Sequence, residues 1–200
     1  MSSGGAGYRV DVAYPGRFHR ETMPGWLHAV ATALGRSAPD PGRAFAYCEL
    51  GCGDGLNLVL AAALHPHAAF VGIDLDPAHI DAARALAAAA GLDNLRFEQG
   101  DVAEPQAALA RDGFDFVVSH GLWSWMPGAA RDAATARMVG LLRPGGVAYV
   151  GYMSHPGASV LASLQRLLHE YAAGCDGDAG QRARQALAYA RRLAGAGAGL

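Results

Sequence analysis

Five short apolar runs mark the first three quarters of the chain: residues 45–50, 70–73, 95–98, 114–119 and 146–152. Each is four to seven residues long, rich in valine, isoleucine and aromatic residues, and bounded by glycine, proline or an acid. That length and composition predict strands rather than helices. Alanine-rich stretches with apolar residues at helical spacing separate the runs, so strand and helix alternate along the chain. This alternation predicts an α/β fold, a doubly wound and mostly parallel sheet of about five strands. After residue 157 the pattern changes. Leu161, Leu164, Leu167 and Leu168 recur at helical spacing, as do Leu187, Tyr189 and Leu193, and the closing 195–200 is a glycine–alanine tail. We therefore expect three parts: an N-terminal lid or helix over 1–40, a Rossmann-like domain over 41–156, and a helical extension over 157–200.

The first run leads into Glu49-Leu50-Gly51-Cys52-Gly53-Asp54-Gly55, with glycines at alternate positions. Glycine supplies the backbone angles of a tight strand-to-helix turn and lets a ligand approach the main chain. A dinucleotide fingerprint needs a further glycine where Leu56 stands, and it requires no acid at Glu49. An acid at that place accepts hydrogen bonds from an ammonium group. The second run ends on Asp74, 19 residues after Gly55, the spacing of a strand–helix–strand unit whose second strand offers a carboxylate to ribose hydroxyls. Asp74 could instead cap the helix starting at Pro77, a task for which Asp76 is better placed. In the third unit, Asp101 either accepts from an adenine amino group, with the Val102 amide and side chain beside the base, or caps the segment that follows. The ends of these strands converge on one edge, where open parallel sheets bind ligands.

These motifs resemble those of class I S-adenosylmethionine-dependent methyltransferases. Glu49 to Gly55, including Gly51, Cys52 and Gly53, matches the glycine loop; Gly72 to Asp76, including Asp74 and Leu75, matches the ribose segment; Gly100-Asp101-Val102 matches the adenine segment; and Leu142 to Gly146 matches the turn before the fifth strand. Three further stretches resemble bacterial members that carry a regulatory domain after the catalytic one. They are Tyr14-Pro15 with Thr22-Met23-Pro24, Ser119 to Trp125, and Tyr152 to Gly157. The resemblance implies S-adenosylmethionine as cofactor and direct displacement of its methyl group by a lone pair on the acceptor. It also implies an acceptor that is a small molecule or a protein side chain, since some relatives methylate protein lysines.

His120, at the end of the fourth run, occupies a place from which such enzymes contact the acceptor or the sulfonium. It is the catalytic candidate, as a base titrating near neutral pH, with a loop-fixing role as the alternative. Trp123 and Trp125 alternate, so one packs inward while the other faces the pocket as a substrate contact. Tyr14 and Thr22 lie in a segment that Pro15 and Pro24 prevent from forming one helix. We expect that segment to be a lid offering the two hydroxyls to the methionine carboxylate, or else a surface arm along the sheet edge.

Composition narrows the remaining choices. A net charge of −2 and 16 basic residues, all arginine, without a basic cluster leave no footprint for a nucleic-acid backbone. No apolar run reaches the roughly 20 residues needed to cross a bilayer, and the polar N-terminus is not a signal peptide, which predicts a cytoplasmic protein. Cys48, Cys52 and Cys175 are odd in number and scattered, and the eight histidines have no ligand spacing, so neither a disulfide framework nor a metal is expected. A sheet that stops at five strands leaves an edge needing cover, from a missing C-terminal domain or from a second copy of the chain. Two rival readings are a cofactor-binding subunit without activity and a nicotinamide-dependent oxidoreductase. Leu56 and the adenine-type segment argue against the latter.

Overall fold

The computed structural model describes residues 16–104 and 113–198. They fall into two compact units, divided between Tyr152 and Met153.

The first unit is built on five parallel strands: β1 (Ala46–Leu50), β2 (Ala69–Asp74), β3 (Leu95–Gln99), β4 (Phe114–His120) and β5 (Leu142–Gly151). Their order in the sheet is β3-β2-β1-β4-β5. Successive side chains point to opposite faces, and the sequence uses both faces. Tyr47, Phe70, Phe116 and Val118 bury on one side with Leu58, Ile80 and Phe97, while Cys48, Leu50, Val71, Ile73 and Val117 bury on the other with Met138 and Leu141. Burial on both faces explains why the central strands read as continuous apolar runs. Truncating a fully buried residue such as Phe116 to alanine would cost about 3–5 kcal/mol.

Helices α2 (Leu56–Leu64), α3 (Pro77–Ala89) and α4 (Gly128–Leu141) alternate with the strands. Helix α3 starts as the sequence predicts, with Pro77 in its first turn and the Asp76 side chain accepting from the Ala78 amide at 2.9 Å. The N-terminal segment is broken by its proline, also as predicted. A short 3-10 turn, Arg20–Thr22, precedes α1 (Pro24–Ala33), which begins on Pro24. Strand β5 departs from expectation. It starts at Leu142, not Gly146, because Leu142 already pairs with Phe114; a register irregularity then absorbs the turn residues before Val147 meets Phe116. The Arg143 guanidinium fastens that irregularity to the Asp115 carboxylate at 2.6 Å. Among the described residues no strand lies outside β5.

The second unit is a helical pair, α5 (Ser159–Ala173) and α6 (Ala179–Gly195). Asp178 and Gln181 form a reciprocal capping box at the start of α6, and Tyr171 stacks on Tyr189 with ring centroids 4.1 Å apart. No helix among the described residues is long and apolar enough to cross a membrane.

Candidate active site

The strand order reverses between β1 and β4, and a parallel sheet opens a crevice beyond the carboxyl ends of its strands at such a point. A cleft lies there. Its floor is the β1 end and the glycine loop (Glu49, Gly51, Cys52, Gly53, Asp54), with Asp74 from β2 on one side and His120, Leu122 and Trp125 from the β4 end on the other. Arg17 and His19 of the N-terminal segment line it as well.

The loop is fastened from below. The amides of Gly51 and Cys52 both donate to the Ile73 carbonyl, at 2.8 and 3.0 Å, and the Gly53 amide donates to Asp74 Oδ2 at 2.8 Å. Gly53 has φ +55° with nothing within 4 Å of the place a Cβ would take, so its open face is bare backbone. Asp74 Oδ1 accepts from the Asp76 amide at 3.0 Å and lies 3.2 Å from His79 Nδ1. Glu49 is 4% exposed, and its Oε2 has no hydrogen-bond partner. Burial pushes its carboxyl from 4.5 up to about 8; Asn57 opposes that shift, and the nearby Asp54 and Asp74 add to it. A buried acid that faces a cleft with one oxygen unpartnered calls for a cationic partner.

The other end of the cleft is built from side chains. His120 stacks on His19 with centroids 3.9 Å apart, and its Nδ1 lies 3.4 Å from the Tyr149 hydroxyl. Glu21 Oε1 stands 3.5 Å from His19 Nδ1 and 3.9 Å from His120 Nδ1. Burial and His19 hold the His120 ring below its ordinary pKa, with Glu21 opposing. The Glu21 carboxyl is held below its ordinary value chiefly by its own backbone, against partial desolvation. The Arg20–Thr22 turn is pegged to the core. The Tyr47 hydroxyl donates to the Thr22 carbonyl at 2.8 Å, Thr22 Oγ1 donates to the His19 carbonyl at 2.8 Å, and the His19 amide donates to Asn57 Oδ1 at 2.9 Å.

Glu49, Gly51, Cys52, Gly53, Asp74, His120 and Trp125 thus share one cleft. Thr22 does not reach it: the residue is fully buried and its hydroxyl is spent inside its own turn. Its expected role at a carboxylate fails because the hydroxyl is turned inward to the His19 carbonyl, while the Thr22 carbonyl receives the Tyr47 hydroxyl that holds the segment to the sheet. Trp123 packs toward the buried cluster around Met138, with Nε1 3.3 Å from Thr135 Oγ1, whereas Trp125 is half-exposed in the cleft. Leu75 is half-buried just beyond Asp74, outside the cleft lining. Val102 is buried in the core with Ile73 and Val117, and Asp101 Oδ1 accepts from the Ala103 amide at 2.9 Å. Tyr14 lies outside the described residues. Sequence reasoning missed Arg17, His19, Glu21 and Asn57. Of these only Asn57 left a local signal, as the single polar residue of α2.

The chain matches the methyltransferase domain family over residues 42–191. It belongs to that family, whose members use S-adenosylmethionine, and the unpartnered Glu49 Oε2, the bare Gly53 and the Asp74 carboxylate fit that cofactor. An uncharacterized protein of Synechocystis sp. is 34% identical over 165 residues, which cover 82% of this chain and 32% of that protein. Trans-aconitate 2-methyltransferase of Deinococcus radiodurans is 38% identical over 99 residues, covering 50% of this chain and 34% of that enzyme. Among solved structures, PKMT2 from Rickettsia typhi in complex with AdoHcy superposes with a TM-score of 0.75 at 24% identity, over 90% of this chain and 34% of that one. The chain spans about a third of the length of each of these relatives.

Proposed function

We propose that this chain is the cofactor-binding part of an S-adenosylmethionine-dependent methyltransferase and that it places the transferable methyl group before His120. The observation that carries the reading is Glu49 Oε2, a buried carboxylate oxygen without a partner, in the same cleft as Asp74. In this assignment Glu49 receives the amino group of the cofactor's methionine end. Asp74 receives the ribose hydroxyls, and Gly51 to Gly53 give the cofactor a backbone surface to lie on. Arg17 takes the methionine carboxylate, the task the sequence had suggested for the Tyr14 and Thr22 hydroxyls. Asp101, Val102 and Leu75 flank the adenine.

The cofactor supplies an electrophilic methyl group, and the protein's contribution is alignment in a cleft short of water, which lowers a barrier by on the order of 7–11 kcal/mol in ideal cases. His120 faces the acceptor, to orient it or to take its proton, with Trp125 beside it. The acceptor is a small molecule or a protein side chain; the fold shared with PKMT2 and the partial likeness to trans-aconitate 2-methyltransferase support one choice each. We further propose a cytoplasmic protein that binds no nucleic acid, and a chain whose helical pair continues into a regulatory domain, as the Tyr152 to Gly157 motif suggests. A non-catalytic cofactor-binding subunit is the alternative. Incubation with methyl-labelled cofactor and candidate peptides or small acids tests the proposal. Label transferred by the wild type and lost in His120→Ala supports it; tight cofactor binding without transfer to any acceptor, in this chain and in longer forms containing it, favours the alternative.

A further inference from the structure

His19, Glu21 and His120 offer two imidazole nitrogens and a carboxylate oxygen that all lie within 4.8 Å of one another. The carboxylate stands 3.5 Å from one Nδ1 and 3.9 Å from the other, longer than a good hydrogen bond to either. Three donors around a zinc-sized ion, with bonds of about 2.0–2.2 Å, sit roughly 3–3.5 Å apart. The cluster is thus within about 1.5 Å of a coordinating arrangement.

The supports are in place from beneath. The His19 amide is fastened to Asn57, Thr22 ties the turn that carries Glu21 to the His19 carbonyl, and Tyr47 pegs that turn to the core. His120 is fixed at the strand end, where the Gly121 amide donates to the Gly151 carbonyl at 2.7 Å. The two imidazoles now stack, so an ion would have to tilt them apart and displace the long contact between His120 Nδ1 and Tyr149.

We propose that His19, Glu21 and His120 form a binding site for one divalent first-row transition-metal ion. Two nitrogens and one oxygen suit zinc, cobalt or iron(II) better than calcium or magnesium, which prefer all-oxygen sites. Three protein ligands leave coordination positions open, as in catalytic rather than structural metal sites. His19 and His120 both line the cleft, so those positions face the space in which an acceptor would stand. An oxygen or nitrogen of the acceptor would fill one of them. His120 would then act as a ligand instead of a base. The inference concerns metal binding and stands or falls independently of methyl transfer.

The test is titration of the metal-free chain with Co2+, followed by its visible absorption bands, and with Zn2+ by calorimetry. Both are repeated on His19→Ala, Glu21→Gln and the control His169→Ala, each first shown to be folded by its far-ultraviolet spectrum. One equivalent should bind to the wild type and to the control. Each site variant should weaken binding by at least about tenfold, the lower end of what even supporting residues of metal sites contribute. Absence of saturable binding near one equivalent overturns the proposal, as does binding that survives unchanged in both His19→Ala and Glu21→Gln.

Discussion

The two ends of the cleft are made differently. At the Glu49 end the ligand surface is backbone and short acids, buried, and tied to the sheet by amides that reach the Ile73 carbonyl and Asp74. At the His120 end the surface is made of longer side chains, a quarter to a third exposed, brought in by a separate segment and held by contacts between rings. A group common to every catalytic cycle can be met by fixed backbone. A group that enters and leaves, and that differs among related enzymes, is met by side chains that can be exchanged without disturbing the sheet.

The largest effect should come from breaking the rigid end. Gly55 has φ +75°, and a Cβ there would stand 2.6 Å from Phe97 Cζ and 2.8 Å from Ala83 Cβ. Gly55→Ala should therefore lower stability by about 2–5 kcal/mol, the sum of left-handed strain and overpacking. Gly91, at φ +66° with nothing within 4 Å, isolates the strain alone, about 1–2 kcal/mol. Urea denaturation of both variants gives the comparison, and equal losses would remove packing from the explanation.

Next comes the end built from side chains. His120→Ala should reduce turnover by about 100-fold or more while S-adenosylhomocysteine binds nearly as before, because the loss appears only in the reacting complex. Parallel loss of binding and rate would move His120 to the cofactor side of the division.

Asp74→Ala should weaken S-adenosylhomocysteine binding by about tenfold or more, the equivalent of one charge-assisted hydrogen bond at about 1.5–3 kcal/mol. Unchanged affinity in a folded variant would confine Asp74 to bracing Gly53 and Asp76.

The last effect is a pH dependence, graded over about two pH units instead of lost at one step. Burial raises Glu49 to about 8, so at neutral pH the free protein holds it protonated. An ammonium group binds the carboxylate form, so binding releases a proton. Affinity should then rise by up to about tenfold per pH unit from pH 6 and level off above about 8. Folding runs the opposite way. An acid whose pKa is raised on folding contributes stability that is full below about 4.5 and falls as pH climbs through about 8. Glu49→Gln should flatten both profiles, and a wild-type affinity that is flat between pH 6 and 8 would mean that Glu49 does not meet the ammonium group.

The same division explains what the sequence revealed. Glu49, the glycine loop and Asp74 were legible because strand, turn and acid are contiguous in the chain and their spacing carries the geometry. His120 was legible for the same reason, at the end of a clear strand. Its neighbours were not. His19 and Glu21 lie about a hundred residues upstream and join it only through the parallel crossover that sets β4 beside β1. Thr22 was misplaced because a hydroxyl in a proline-bounded segment suits a ligand contact and an internal peg equally well, and only burial distinguishes them. The early start of β5 was hidden by Pro144-Gly145-Gly146, which reads as a turn although the strand carries it as an irregularity.

The central claim is that the cleft beyond β1, β2 and β4 holds S-adenosylmethionine and not a dinucleotide. Calorimetric titration of the chain with S-adenosylhomocysteine and, separately, with NAD tests it most directly. The account predicts one equivalent of S-adenosylhomocysteine bound and no saturable heat from NAD. A folded chain that ignores S-adenosylhomocysteine, or that binds NAD in competition with it, would contradict the account.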